Sequence, residues 1–163
     1  MTAWCKKAFI VDQDPDILEL LRSLIEEQGC EAEGGLPDPG NLRRIKEYGP
    51  DVVVLDFTYS NPENWRLLDQ LRVDETTSSI PVLALSTLEP VVEQSLLSYN
   101  VRGILTKPFA IDELRKAVHV VLNQPPLSVP PVAERPGAEV LREAADILVA
   151  NGREVVTTWL RRL

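Results

Sequence analysis

The chain is poor in cysteine, histidine, basic charge and long apolar runs, and each shortage excludes a class of protein. Its 163 residues include two cysteines and one histidine. Cys5 and Cys30 are too few for a disulfide framework and lack metal-ligand spacing, so both are expected as reduced thiols. His119 falls on an expected helix, away from the strand ends described below, and reads as a structural residue rather than a ligand or phosphodonor. No apolar stretch approaches membrane-spanning length and the N-terminus has no apolar signal core, so the expected location is cytoplasmic with no membrane contact. Lys and Arg number 17 against 25 Asp and Glu, a net charge of −8. Generic nucleic-acid binding needs a basic footprint, and this balance argues against direct contact with nucleic acid.

What is present is a series of short apolar runs, each ending in polar groups. Ala8-Phe9-Ile10-Val11 runs into Asp12-Gln13-Asp14, and Val52-Val53-Val54-Leu55 into Asp56. Val82-Leu83-Ala84-Leu85 runs into Ser86-Thr87, and Gly103-Ile104-Leu105 into Thr106-Lys107-Pro108. Continuous apolar runs of this length read as strands buried on both faces, hence a parallel sheet. A weaker strand is expected around Glu31–Gly34. Helical patterns alternate with the strands: about Pro15–Gln28, Asn41–Tyr48, Glu63–Arg72, Val91–Tyr99 and Ile111–Leu122. Asp14 suits an N-cap and Pro15 a first helical turn, and Gly29 and Gly49-Pro50 suit helix stops. Repeated βα units require right-handed crossovers and a sheet covered on both faces, a doubly wound α/β fold.

The composition changes after the fifth helix. Residues 124–137 hold five of the thirteen prolines and read as a stiff linker. Residues 138–163 return to helical spacing, with Leu141, Ala145, Leu148, Val155, Trp159 and Leu163 on one face and Asn151-Gly152 as a break point. One amphipathic stripe cannot bury itself. The pattern still runs at Leu163, so this segment is expected to begin a truncated output or dimerisation domain. The division is therefore residues 1–123, 124–137 and 138–163. The arginines of the last segment read as a solvated face.

In parallel α/β sheets reactive groups gather at the carboxyl ends of the strands. Carboxylates, a hydroxyl and an ammonium should therefore meet at one edge. Carboxylate oxygens there make a hard site for Mg²⁺, and the set suits phosphoryl transfer onto aspartate. Residues 6–123 resemble the receiver domain of bacterial two-component response regulators, of CheY-like fold. The matching pieces are Asp12-Gln13-Asp14-Pro15, Pro50-Asp51-Val52-Val53-Val54-Leu55-Asp56, Ile80-Pro81-Val82-Leu83-Ala84-Leu85-Ser86 and Lys107-Pro108-Phe109. The resemblance implies a five-stranded sheet of order 2-1-3-4-5 and a cis Lys107-Pro108 bond. It implies Asp56 as phosphoacceptor, Ser86 as switch hydroxyl and Lys107 as the phosphoryl-contacting lysine. Magnesium would be held by Asp12, Asp56 and the Thr58 carbonyl, with Gln13 or Asp14 as a further ligand. The implied partners are a sensor histidine kinase or phosphotransfer protein and a downstream output domain or protein. A homodimer is compatible with the tail.

Four departures make the pattern atypical. Gln13 stands where such receivers carry a second acid. One charge at about 4 Å is worth roughly 4 kcal/mol at an effective dielectric of about 20, before screening. Ile104 replaces the aromatic switch residue three before the lysine. Ser60 and Asn64 replace a Pro and a Gly, and Trp65 adds bulk after that loop. Gln13 and Ile104 favour an alternative, a pseudo-receiver that acts as an interaction module without phosphorylation. A more remote alternative is a haloacid-dehalogenase-type phosphohydrolase, suggested by Asp12-Gln13-Asp14. It leaves Asp56 unexplained and lacks the later acidic pair. A flavodoxin-like flavin site is excluded by the acidic first loop, which repels phosphate.

Overall fold

The strands are β1 (Lys7–Val11), β2 (Glu31–Gly35), β3 (Val52–Phe57), β4 (Val82–Ser86) and β5 (Val101–Thr106). They form one five-stranded sheet in the order β2-β1-β3-β4-β5, with each neighbouring pair parallel. The described helices are α1 (Pro15–Glu26), α2 (Asn41–Tyr48), α3 (Pro62–Val73) and α4 (Ile111–Asn123). This computed structural model describes residues 6–58, 61–88, 96 and 101–123. The helix expected at Val91–Tyr99 lies outside them except for Leu96, which is helical and buried. Residues 124–137 and 138–163, the expected linker and helical segment, also lie outside.

Alternation along the strands builds two cores. Phe9, Val11, Val53, Leu55 and Phe57 point to one face, against Ile45 of α2 and Trp65, Leu67, Leu68 and Leu71 of α3. Ala8, Ile10, Val52, Val54, Leu83 and Leu85 point to the other, against Leu21, Leu24 and Ile25 of α1 and Leu114, Val118 and Val121 of α4. A period of two with both faces covered is why these strands read as unbroken apolar runs. All six residues of β3 are buried.

At three elements the departure from expectation has a physical reason in the structure. β5 begins at Val101 rather than Gly103. Val101 pairs with Val82 and Gly103 with Leu83, so Arg102 is an extra, bulged residue that hides the strand in the sequence. β2 has the composition Glu-Ala-Glu-Gly-Gly, poor for a strand. It forms because Gly34 lies tight against β1, where a Cβ would overlap the Ile10 main-chain oxygen. α3 starts at Pro62, which occupies the first helical turn where its missing N–H costs nothing.

Asp14 caps α1 as expected, its Oδ1 accepting from the N–H groups of Asp16 at 2.9 Å and Ile17 at 3.4 Å. Asp14→Ala is expected to lower stability by about 1 kcal/mol in urea unfolding, and Asp14→Ser to restore most of it. Equal losses for both variants would assign Asp14 a role other than capping.

Candidate functional site

Asp12, Asp56, Ser86 and Lys107 all stand at the carboxyl edge of the sheet. Asp12 follows the last residue of β1, Asp56 is the penultimate residue of β3, Ser86 ends β4 and Lys107 follows β5. Asp12, Asp56 and Ser86 are buried, at 1%, 1% and 0% relative exposure, while the Lys107 side chain keeps 23%. The Lys107 ammonium reaches across the edge to both acids, with Nζ 2.6 Å from Asp56 Oδ1 and 3.4 Å from Asp12 Oδ2. The Lys107-Pro108 peptide bond is cis, as the resemblance implies.

Two buried carboxylates sharing one ammonium leave a negative excess. Burial pushes the Asp56 carboxyl above its ordinary value. The Lys107 hydrogen bond and charge offset part of that rise, while the charges of Asp12 and Asp14 add to it. Burial pulls the Lys107 ammonium down, but the Asp56 hydrogen bond and the charges of Asp56 and Asp12 outweigh it, and the net shift is upward. The remaining Asp56 oxygen, Oδ2, is buried and has no hydrogen-bond partner. An acceptor in that state carries an unreturned desolvation cost, which a cation or a donor would remove.

The other expected residues divide. Asp14 sits beside the acids but its Oδ1 is spent on the helix cap, and its own N–H donates to Asp12 Oδ1 at 2.8 Å. Gln13 is exposed. The Thr58 carbonyl accepts a long bond of 3.4 Å from the Asn61 N–H. Ser86 Oγ accepts from the Leu88 N–H at 2.9 Å, which leaves the hydroxyl hydrogen available to donate. Ile104 packs into the core on the α2 and α3 side. His119 lies on α4, its ring Nδ1 3.3 Å from the Asn123 amide, with no part in this edge.

Magnesium fits this donor set. The ion typically takes one or two carboxylates, completes its shell with water and substrate oxygens, and seldom occupies an all-protein cage. Asp12 and Asp56 supply two hard oxygen donors with surplus negative charge, and the unpartnered Asp56 Oδ2 is an atom a cation would satisfy. Among the described residues, no group of three or more His, Cys, Asp or Glu gathers as a metal cage. None of the described helices is long and apolar enough to cross a membrane.

Asn64 and Trp65 are what the sequence reading left without a role. Asn64, 1% exposed, donates from Nδ2 to the main-chain carbonyls of Asp56 at 2.7 Å and Val11 at 3.4 Å. Trp65, 2% exposed, meets Phe57 edge to face with ring centroids 5.0 Å apart. The signal for both was their departure from the usual residue types after the Asp56 loop.

Residues 8–119 match the family model of the response regulator receiver domain. The chain is 25% identical over 151 residues to the DNA-binding dual master transcriptional regulator RpaA of Synechocystis, covering 92% of this chain and 61% of RpaA. It is 29% identical over 120 residues to protein PilH of Pseudomonas aeruginosa, covering 71% of this chain and 97% of PilH. It spans 61% and 56% of the first two curated relatives, RpaA and the transcriptional regulatory protein TrcR of Mycobacterium tuberculosis. The structure of the chemotaxis response regulator CheY4 of Vibrio cholerae superposes with a TM-score of 0.63 at 22% identity, covering 72% of this chain and 98% of that one. That likeness speaks to the fold.

Proposed function

The chain belongs to the response regulator receiver family of two-component systems, and from that premise we propose that Asp56 accepts a phosphoryl group from a partner histidine kinase or phosphotransfer protein. The observation that carries the reading is the state of the Asp56 carboxylate. One oxygen is held by Lys107 at 2.6 Å, and the other is buried without a partner. In the transfer, an Asp56 carboxylate oxygen bonds to phosphorus as the phosphorus–nitrogen bond of the donor phosphohistidine breaks. The electron pair departs on the imidazole, which takes up a proton.

The surrounding residues compensate charge as it moves. The Lys107 ammonium has three donors and can contact a phosphoryl oxygen while still holding a carboxylate. The Ser86 hydroxyl hydrogen is free to turn toward another phosphoryl oxygen, and that new bond is the means by which β4 would sense the modification. Asp12, with the Asp56 carboxylate and the Thr58 carbonyl, would hold the magnesium ion. Bound there, magnesium supplies charge neutralisation of the incoming phosphoryl oxygens. The modified state would be relayed to an output domain or protein through residues beyond 123.

Intact mass measured after incubation with acetyl phosphate, with and without Mg²⁺, tests the reading. In that reaction the phosphorus–oxygen bond to acetate breaks instead, and acetate leaves. The expected result is a single magnesium-dependent phosphoryl adduct that is absent from Asp56→Asn. A wild-type chain that stays unmodified at high Mg²⁺ would overturn the proposal and favour a phosphorylation-independent interaction module.

A further inference from the structure

The β1–β3 ladder stops one residue before the acids. Its last pair is Val11 with Leu55, so Asp12 and Asp56, which would come next, are not held side by side by the sheet. Both carboxylates nonetheless lie within 3.4 Å of one lysine nitrogen. Like charges so close repel, and one ammonium compensates only one of them.

The Asn64 side chain lies at that gap. Its amide nitrogen donates to the carbonyl of Val11, the residue before Asp12, and to the carbonyl of Asp56 itself. Both acceptors are carbonyl oxygens, so only the NH₂ end of the amide can face them. Its Oδ1 is left buried with no partner. An amide kept there with half of its hydrogen-bonding capacity unused is a poor device for stability alone. We infer that Asn64 is a positioning residue: it clips the main chain beneath Asp12 to the main chain beneath Asp56, and so sets the separation of the two carboxylates. The inference deepens the phosphoacceptor reading and rests on it.

Asn64→Leu separates positioning from packing, because leucine nearly matches asparagine in shape, has no donor and removes the unpartnered acceptor. A packing role predicts a Leu variant as stable and as active as wild type. The positioning role predicts Mg²⁺ affinity by titration calorimetry about 10-fold weaker, the usual scale for residues that orient metal ligands. Phosphoryl uptake from acetyl phosphate at saturating Mg²⁺ should fall as well, and Asn64→Gly should reproduce both losses. Unchanged affinity and uptake in both variants would overturn the inference.

Failure of the phosphoacceptor reading is a distinct result, a wild-type chain that binds no Mg²⁺ and takes up no phosphoryl group. NMR relaxation dispersion without metal then decides about Asn64. New microsecond-to-millisecond exchange at the Asp12 and Asp56 amides of Asn64→Leu supports the clip, and its absence refutes it.

Discussion

Lys107→Met is expected to lose about 3 kcal/mol of stability at pH 8, the lower end of what breaking a buried ion pair costs, because the ammonium is 23% exposed. The loss arises less from the missing attraction than from what stays behind. Asp12 and Asp56 are each 1% exposed, and without the ammonium they are two buried carboxylates with no cationic partner among the contacts described for them.

The pH dependence identifies the cause. The Asp56 carboxyl is already raised from 3.8 in the folded state, first by burial. A folded state that binds a proton more tightly than the unfolded chain is stabilised fully below the unfolded value, and loses that contribution as pH rises through the folded value. Removing Lys107 takes away the hydrogen bond that lowers this pKa. The folded value therefore climbs further and the window widens upward from 3.8. The variant should regain stability as the pH falls from 8 toward 5. Lys107 has the same sign at the alkaline end: its contribution is complete below 10.5 and is lost as pH rises through its raised folded value.

Adding Asp56→Asn to Lys107→Met should restore most of the loss at pH 8, since a neutral amide replaces one of the two buried carboxylates. Urea unfolding of the wild type, both single variants and the double variant measures the coupling. A deficit that is equal at pH 5 and pH 8, and that survives Asp56→Asn, would show that the lysine acts through packing of its stem rather than its charge.

Trp65→Ala is expected to cost about 3–5 kcal/mol, the range for emptying a buried aromatic site. The indole packs beside Phe57, the residue after Asp56, and belongs to the core between the sheet and α3. The edge-to-face contact adds about 0.5–1.5 kcal/mol to area burial. Trp65→Phe should cost far less, under about 1.5 kcal/mol. The indole Nε1 is buried with no hydrogen-bond partner, so phenylalanine removes an unreturned desolvation cost along with some volume. The measurement is the urea midpoint at unchanged slope. A Phe variant as unstable as the Ala variant would mean that the indole N–H is satisfied in solution.

The apolar runs alone determined that this chain would form a parallel sheet with helices on both faces, because strands buried on two faces have no alternative pattern to show. Their terminal residues placed Asp12, Asp56, Ser86 and Lys107 at one edge, since the carboxyl ends of parallel strands share an edge. Asp14 and Gly49 were legible for a similar reason: a cap acts within one turn of its own sequence. The strand order, by contrast, came from family resemblance, since no local signal encodes which strands become neighbours.

Tertiary structure alone decided what depends on distance between segments. β2 is a strand because Gly34 lets the backbone approach Ile10, a partner 24 residues away in the register. Arg102 conceals the start of β5 because its bulge exists only against β4. Asn64 was visible in the sequence only as an unusual residue. Its two acceptors lie on different strands, 53 and 8 positions away. Local chemistry is written in neighbouring residues, whereas a contact across the sheet edge exists only once the chain has closed the loop between its ends.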